Sequence, residues 1–306
     1  MLKYLLLAIF LGFIPAATLA QRPDEATRDL WDTAFVQKRP EGKKPAKKPQ
    51  PVRYRVVGKK PLTLAATPAG PPAVVGVTIW RLRPSKTADD QAVRQLIYEQ
   101  GEWTPERVNG DEPLSEGSRV QLTIESPRAG YLYVFDREVY ADKTYGEPYL
   151  IFPTLAINAG DNKVSAGRVV EIPSAQDKPS YYTLKKSRSD HDGEALTVIV
   201  SDKPLSDLII GRGALKVSAD QFNSYVAKWG VLTQQLELEN GAGAAMSKAE
   251  KNAALGKGAL TREDSLPQTI YRVLAKPNQP LLLTIPLSIG AKTELANEKS
   301  TPEKEQ

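Results

Sequence analysis

The chain has 306 residues, 41% apolar and 25% charged, which is enough length and apolar content to bury the core of one large β domain or two average ones. It carries no cysteine and one histidine, which excludes disulfides, thiol nucleophiles, cysteine-ligated zinc or iron–sulfur centres, and any site built on two imidazoles. The formal charge of +5 is unevenly spread: residues 37–60 hold ten Lys and Arg against Glu41 alone, while residues 61–306 hold 28 Lys and Arg against 31 Asp and Glu. A claim about anionic partners therefore concerns the basic segment and not the rest of the chain.

Met1 to Ala20 begins with Lys3, runs through an apolar stretch from Tyr4 to Ile14, breaks at Pro15 and ends in small residues, with Thr18 and Ala20 at the minus-three and minus-one positions. This is the pattern of a secretory signal peptide cut before Gln21, and its apolar stretch is shorter than the roughly 20 residues of a spanning helix. The expected location is periplasmic or extracellular; an uncleaved anchor is the alternative. Residues 24–35 could form about three helical turns. Residues 37–72 contain eight prolines. Proline lacks the amide donor and pushes its predecessor toward extended geometry, so a disordered, semi-extended linker with no regular element is expected there. Its charge suits contact with an anionic envelope polymer. Nucleic acid is not expected as a partner, given the signal peptide and the absence of interleaved aromatics.

From residue 73 to 290 the dominant period is two. Strand-like runs occur at Val74–Leu82, Arg119–Glu125, Tyr131–Asp136, Tyr149–Phe152, Arg168–Ile172, Tyr181–Leu184, Ala195–Ser201, Val231–Leu238, Ile270–Leu274 and Leu281–Leu287. Residues 87–108 read as a strand through Gln95 to Tyr98 and another near Trp103, with a short helix at 89–96 as the alternative. Gly, Pro, Asn and Asp turns separate the runs, which predicts a mainly β fold, a sandwich or partly open barrel. Two helices interrupt it. Ser218 to Gln221 is a capping box opening a helix to Trp229, with Phe222, Tyr225, Val226 and Trp229 on one stripe and Gly230 placed for a left-handed end. Ser247–Leu255 is a second, looser helix. The polar tail from 291 to 306 is expected to be disordered.

No nucleophile elbow, phosphate-binding loop, dinucleotide fingerprint or H-E-x-x-H motif is present. Ser189 to Glu194 has a D-x-D-G core, but the twelfth position of a calcium loop falls on Ser201, so no metal site follows. Asp192-Gly193 instead reads as a hairpin turn, with His191 exposed in it. No cofactor is expected. The connection from Asp136 to Tyr149 is long, polar and aromatic, and loops of that kind on a rigid scaffold commonly carry recognition. Asp136, Arg137, Tyr140, Tyr145 and Tyr149 are the candidate partner-binding residues. The acidic residues Asp136, Glu138, Asp142 and Glu147 leave a carboxylate-dependent hydrolase as the rival reading.

An ordered set of short motifs spans Glu116 to Leu205: Gly130-Tyr131-Leu132-Tyr133, Ile151-Phe152-Pro153, Asn162-Lys163, Ile172-Pro173, Gly193-Glu194 and Pro204-Leu205. The set resembles the bacterial domain of unknown function 4384 family. That resemblance implies a small β-sandwich with an immunoglobulin-like look, often in exported or envelope proteins, and implies no catalytic residues. The sequence thus predicts an exported, non-enzymatic sandwich module over 73–290 that binds a protein or polysaccharide of the envelope. A purely structural assembly subunit is the third reading.

Overall fold

In the computed structural model, residues 39–42, 52–58, 72–86, 96–98, 101–276 and 278–290 are described. The signal peptide, the 24–35 helix, residues 89–95 of the 89–96 alternative and the 291–306 tail lie outside them, while Leu96 is in a strand. In chain order the strands are β1 (Tyr54–Val57), β2 (Ala73–Pro84), β3 (Leu96–Tyr98), β4 (Gly101–Val108), β5 (Leu114–Ser115), β6 (Arg119–Glu125), β7 (Gly130–Asp136), β8 (Glu138–Tyr140) and β9 (Tyr149–Phe152). Then follow β10 (Lys163–Val164), β11 (Val169–Ile172), β12 (Tyr182–Thr183), β13 (His191–Ser201), β14 (Leu215–Lys216), helix α1 (Ala219–Trp229), β15 (Thr233–Leu238), helix α2 (Lys248–Ala254), β16 (Thr269–Val273) and β17 (Leu281–Gly290). The fold is mainly β, as the period of two predicts.

Two sheets face each other. The first runs β1-β15-β16-β2-β4-β3, with β6 on the opposite edge of β2 and β11 and β12 beyond it. The second runs β14-β9-β7-β13-β17-β5, with β10 beside β7 and β8 beside β13. Strand alternation sends Val75, Val77, Ile79, Val120, Leu122 and Ile124 from the first sheet into the core, where they meet Leu132, Val134, Leu196, Val198, Leu283 and Ile285 from the second. The flanking strands β2 and β17 pair directly with β6 and β13, so both ends of the chain join the same two sheets as the family-like middle.

Each sheet also has a covered outer face. Phe222, Tyr225 and Trp229 of α1 close over Tyr133, Phe135, Leu150 and Ile199, with Phe222 edge-on to Phe135 at 5.6 Å between ring centroids. Ser218 caps this helix by accepting from the Gln221 amide. Gly230 differs from the left-handed end expected of it: its φ is −63°, and glycine is needed because a Cβ would collide with the Val226 carbonyl that its own amide binds. On the first sheet, α2, the 260–267 connection and residues 39–42 cover the outer side of β2 and β6. Arg107 of β4 is ion-paired there with Glu250 of α2, which also closes the Ser247 capping box.

The linker expectation needs correction in two places. Tyr54–Val57 forms β1, antiparallel to β15 in the register Tyr54↔Leu238, because the tyrosine and the alternating Val56 supply apolar side chains that pack with Leu236 and Ile270. Arg39 is buried against Glu125. Prolines at 45, 49 and 51 precede β1 and leave the Arg-Tyr-Arg-Val-Val run free to pair.

Candidate functional site

The connection after β7 sits at one end of the second sheet, and strand alternation divides its side chains. Leu132 and Val134 point into the core, so Asp136 continues that inward row, and Glu138 continues it again opposite Glu194 in the β8–β13 pairing. Tyr149 faces Asp136 across the β7–β9 pairing. Arg137 points the other way, toward α1. The five candidate residues are therefore not one surface: Asp136, Tyr140 and Tyr149 belong to the inner end of the sandwich, and Arg137 with Tyr145 to its outer side.

The inner end is an acid cluster. Asp136 and Glu194 lie close enough for each carboxyl to shift the ionisation of the other. Asp136 Oδ1 and Glu194 Oε2 are buried and have no hydrogen-bond partner among the described residues. Burial pushes the Asp136 carboxyl up to about 6 and the Glu194 carboxyl to about 9, with the Asp136 and Glu138 charges adding to the rise at Glu194. Two buried carboxylates this close cannot both ionise cheaply, so near neutral pH the pair holds one proton between them. Tyr140 donates to Glu138 Oε2 at 2.7 Å, and the Arg188 guanidinium lies 4.0 Å from the centre of the Tyr140 ring.

His191 does not sit in an exposed turn. It is 1% exposed and is the first residue of β13, because the chain turns earlier, at 185–190, and a bulge between His191 and Gly193 lets both pair with β8. Asp192-Gly193 is likewise inside the strand and not a hairpin turn. Gly193 is required there, since a Cβ would strike the Leu287 carbonyl of β17. The Ser187 amide donates to His191 Nδ1 at 3.2 Å, and Nε2 lies 2.9 Å from the Gly193 carbonyl, which fits the tautomer carrying hydrogen on Nε2. Glu194 Oε1 is 3.3 Å from the same nitrogen. With both ring nitrogens engaged by the protein, the imidazole braces the β8 hairpin. Sequence reasoning missed this, although buried His191, Gly193 and Ala195 extend the alternation of β13 upstream.

The outer side is a cation–aromatic stack. The Arg137 guanidinium lies between two rings, 4.7 Å from the centre of Tyr145 and 5.1 Å from that of Phe222, and its Nε donates to the Gly146 carbonyl at 3.0 Å. Tyr145 remains 53% exposed and Tyr149 40%. The hairpin tip is tied by Lys143 to Asp192 at 2.8 Å and by the Thr144 amide and hydroxyl to Asp142. Among the described residues no group of three or more His, Asp or Glu is arranged to hold a metal ion, and no helix is long and apolar enough to cross a membrane.

A mainly β sandwich of two facing sheets is the class of domain that these features define. Residues 114–204, from β5 to just past β13, match the family model described as Domain of unknown function (DUF4384). The match contains Asp136, Arg137, the tyrosines, His191 and Glu194, while β1 to β4 and everything after Pro204 lie outside it. No curated protein and no solved structure is significantly similar to the chain.

Proposed function

We propose that the protein is an exported, non-enzymatic β-sandwich module that binds a protein or polysaccharide partner of the cell envelope through the outer side of the 137–149 connection. The observation that carries this reading is the stack of Tyr145 on Arg137 on Phe222. It presents a half-exposed aromatic ring and a guanidinium on a hairpin fixed to the sheet, so little side-chain freedom is lost on binding. Export rests on the pattern of Met1 to Ala20.

The acid cluster supports the non-enzymatic half of the reading. Carboxyl pairs that cleave glycosides stand at least about 5 Å apart so that the scissile bond fits between them. Asp136 and Glu194 instead lie close enough to act on each other directly, carboxyl on carboxyl, and His191 has both nitrogens occupied. The test is saturable binding of the mature chain to purified envelope polysaccharide and to solubilised envelope protein, with Arg137→Ala/Tyr145→Ala as the comparison. Binding lost in the double variant is expected; equal binding by both chains overturns the assignment. Release of reducing ends from envelope glycan by wild type, abolished in Glu194→Gln, would replace the binding module with a hydrolase. Microsequencing of the exported chain is expected to start at Gln21.

A further inference from the structure

The segment Arg39-Pro40-Glu41-Gly42 fills a groove on the outer face of the first sheet, far in sequence from everything it touches. The Arg39 side chain is fully buried. Its Nε and Nη2 meet the two oxygens of Glu125 at 2.9 and 2.6 Å, and Nη1 donates to the carbonyls of Thr261 and Ser265 at 3.3 and 3.2 Å. A bidentate fork plus two carbonyls is the full recognition pattern for a guanidinium, which the point charge of a lysine does not reproduce. Arg262 reads the peptide itself: its amide donates to the Pro40 carbonyl, its Nε to the Arg39 carbonyl, and its Nη1 pairs with Glu41 at 3.1 Å.

Part of the groove wall is fixed by contacts that do not involve the segment that fills it. Trp80 Nε1 donates to Thr123 Oγ1 at 3.0 Å, which fixes the wall beside Glu125. Asp264 accepts from the Thr261 amide and hydroxyl, which sets the turn that aims the Thr261 and Ser265 carbonyls inward. Residues 39–42 join no strand ladder, and an open depression of about 600 Å³ lies alongside them, lined by Pro40, Glu41, Gly167, Arg168, Ala259 and Arg262. A four-residue segment held in such a groove beside open space can leave without unfolding the sheets.

We propose that this groove is a peptide-binding site specific for an extended arginine-proline segment, and that residues 39–42 occupy it as an exchangeable ligand supplied in cis. The site goes beyond the proposed envelope-binding surface, which lies on the other sheet. Glu125 belongs to the family-like middle, whereas Thr261, Ser265 and Arg262 come from the C-terminal part, so the arginine ties three stretches of chain together.

The probe is a labelled peptide of sequence QKRPEGK, residues 37–43, added to the full mature chain carrying Arg39→Ala. Saturable binding and a raised melting temperature are expected, with at least about a hundredfold weaker binding to wild type, whose groove is already filled, and loss of binding in Arg39→Ala/Glu125→Gln. The same peptide with lysine at the arginine position should bind about tenfold more weakly. A folded Arg39→Ala chain that neither binds the peptide nor gains stability from it overturns the proposal, as does equal binding of the lysine peptide. Should Arg39→Ala not fold, wild type cleaved within residues 43–51 decides: the resident fragment is expected to exchange with labelled peptide, and a fragment that never exchanges overturns it.

Discussion

The two outer faces of the sandwich are closed by opposite chemistries. The second sheet is covered by α1 through Phe222, Tyr225 and Trp229, whose packing on the sheet is chiefly apolar and includes no buried ion pair among the described residues, with Tyr225 and Trp229 stacked 5.2 Å apart. The first sheet is covered through Arg39–Glu125 and Arg107–Glu250, two buried ion pairs whose partners are 86 and 143 residues apart. Apolar closure tolerates small errors of geometry, because burial is non-directional. Ionic closure does not. A buried charge that loses its partner keeps its desolvation cost, so the first sheet depends on each long-range partner arriving in place.

The largest expected effect separates these two modes. Arg39→Ala leaves Glu125 buried and unpaired and should cost about 3–5 kcal/mol in urea unfolding, while replacing both partners by well-packed apolar residues, Arg39→Met/Glu125→Leu, should come close to wild type. If the double variant is as unstable as the single one, the ion pair is not what closes that face. Phe222→Ala should cost about 3 kcal/mol through the cavity it leaves, and no second substitution of opposite charge can restore it.

The acid cluster gives a pH signature. Both Asp136 and Glu194 are raised above the usual carboxylate range, so their contribution to stability is fully present at low pH and is lost as pH rises through about 6 and then about 9. Melting temperatures measured between pH 5 and 9 should fall in wild type and fall less in Glu194→Gln. An identical decline in both chains would falsify the shared proton. Smallest of all, Ser247→Ala removes the α2 cap and should cost about 1 kcal/mol, measured in the same unfolding experiment.

The same contrast explains what the sequence reveals. α1 announces itself through a capping serine and an aromatic stripe at helical spacing, and the core strands through alternation, because both signals are local. Arg39 is one of ten cations in a proline-rich run, and nothing local marks the one that is buried. Glu125 ends the row Arg119, Gln121, Thr123, which reads as a solvent-facing side of β6 until the 173–181 stretch covers Arg119 and Gln121 and residues 39–42 with the 260–267 connection cover Thr123 and Glu125. At the candidate site the sequence located the connection but not its division. Alternation through Asp136 and Arg137 already puts neighbours on opposite faces, and only the pairing of β8 with β13 shows that the carboxylate across from Glu138 is Glu194.

Burial of Arg39 also resets a length. Were residues 21–72 a free spacer, 52 residues at about 3.5 Å each could hold the sandwich roughly 180 Å from a point of attachment at its N-terminal end. With Arg39 seated, only the 18 residues from Gln21 to Lys38 remain for that purpose, a reach of roughly 60 Å. Release of the segment would free the chain as far as β1, the 33 residues from Gln21 to Arg53 or roughly 115 Å, which nearly doubles the leash and exposes Glu125 in the same step, so occupancy of one groove sets how far from such a point the sandwich can work.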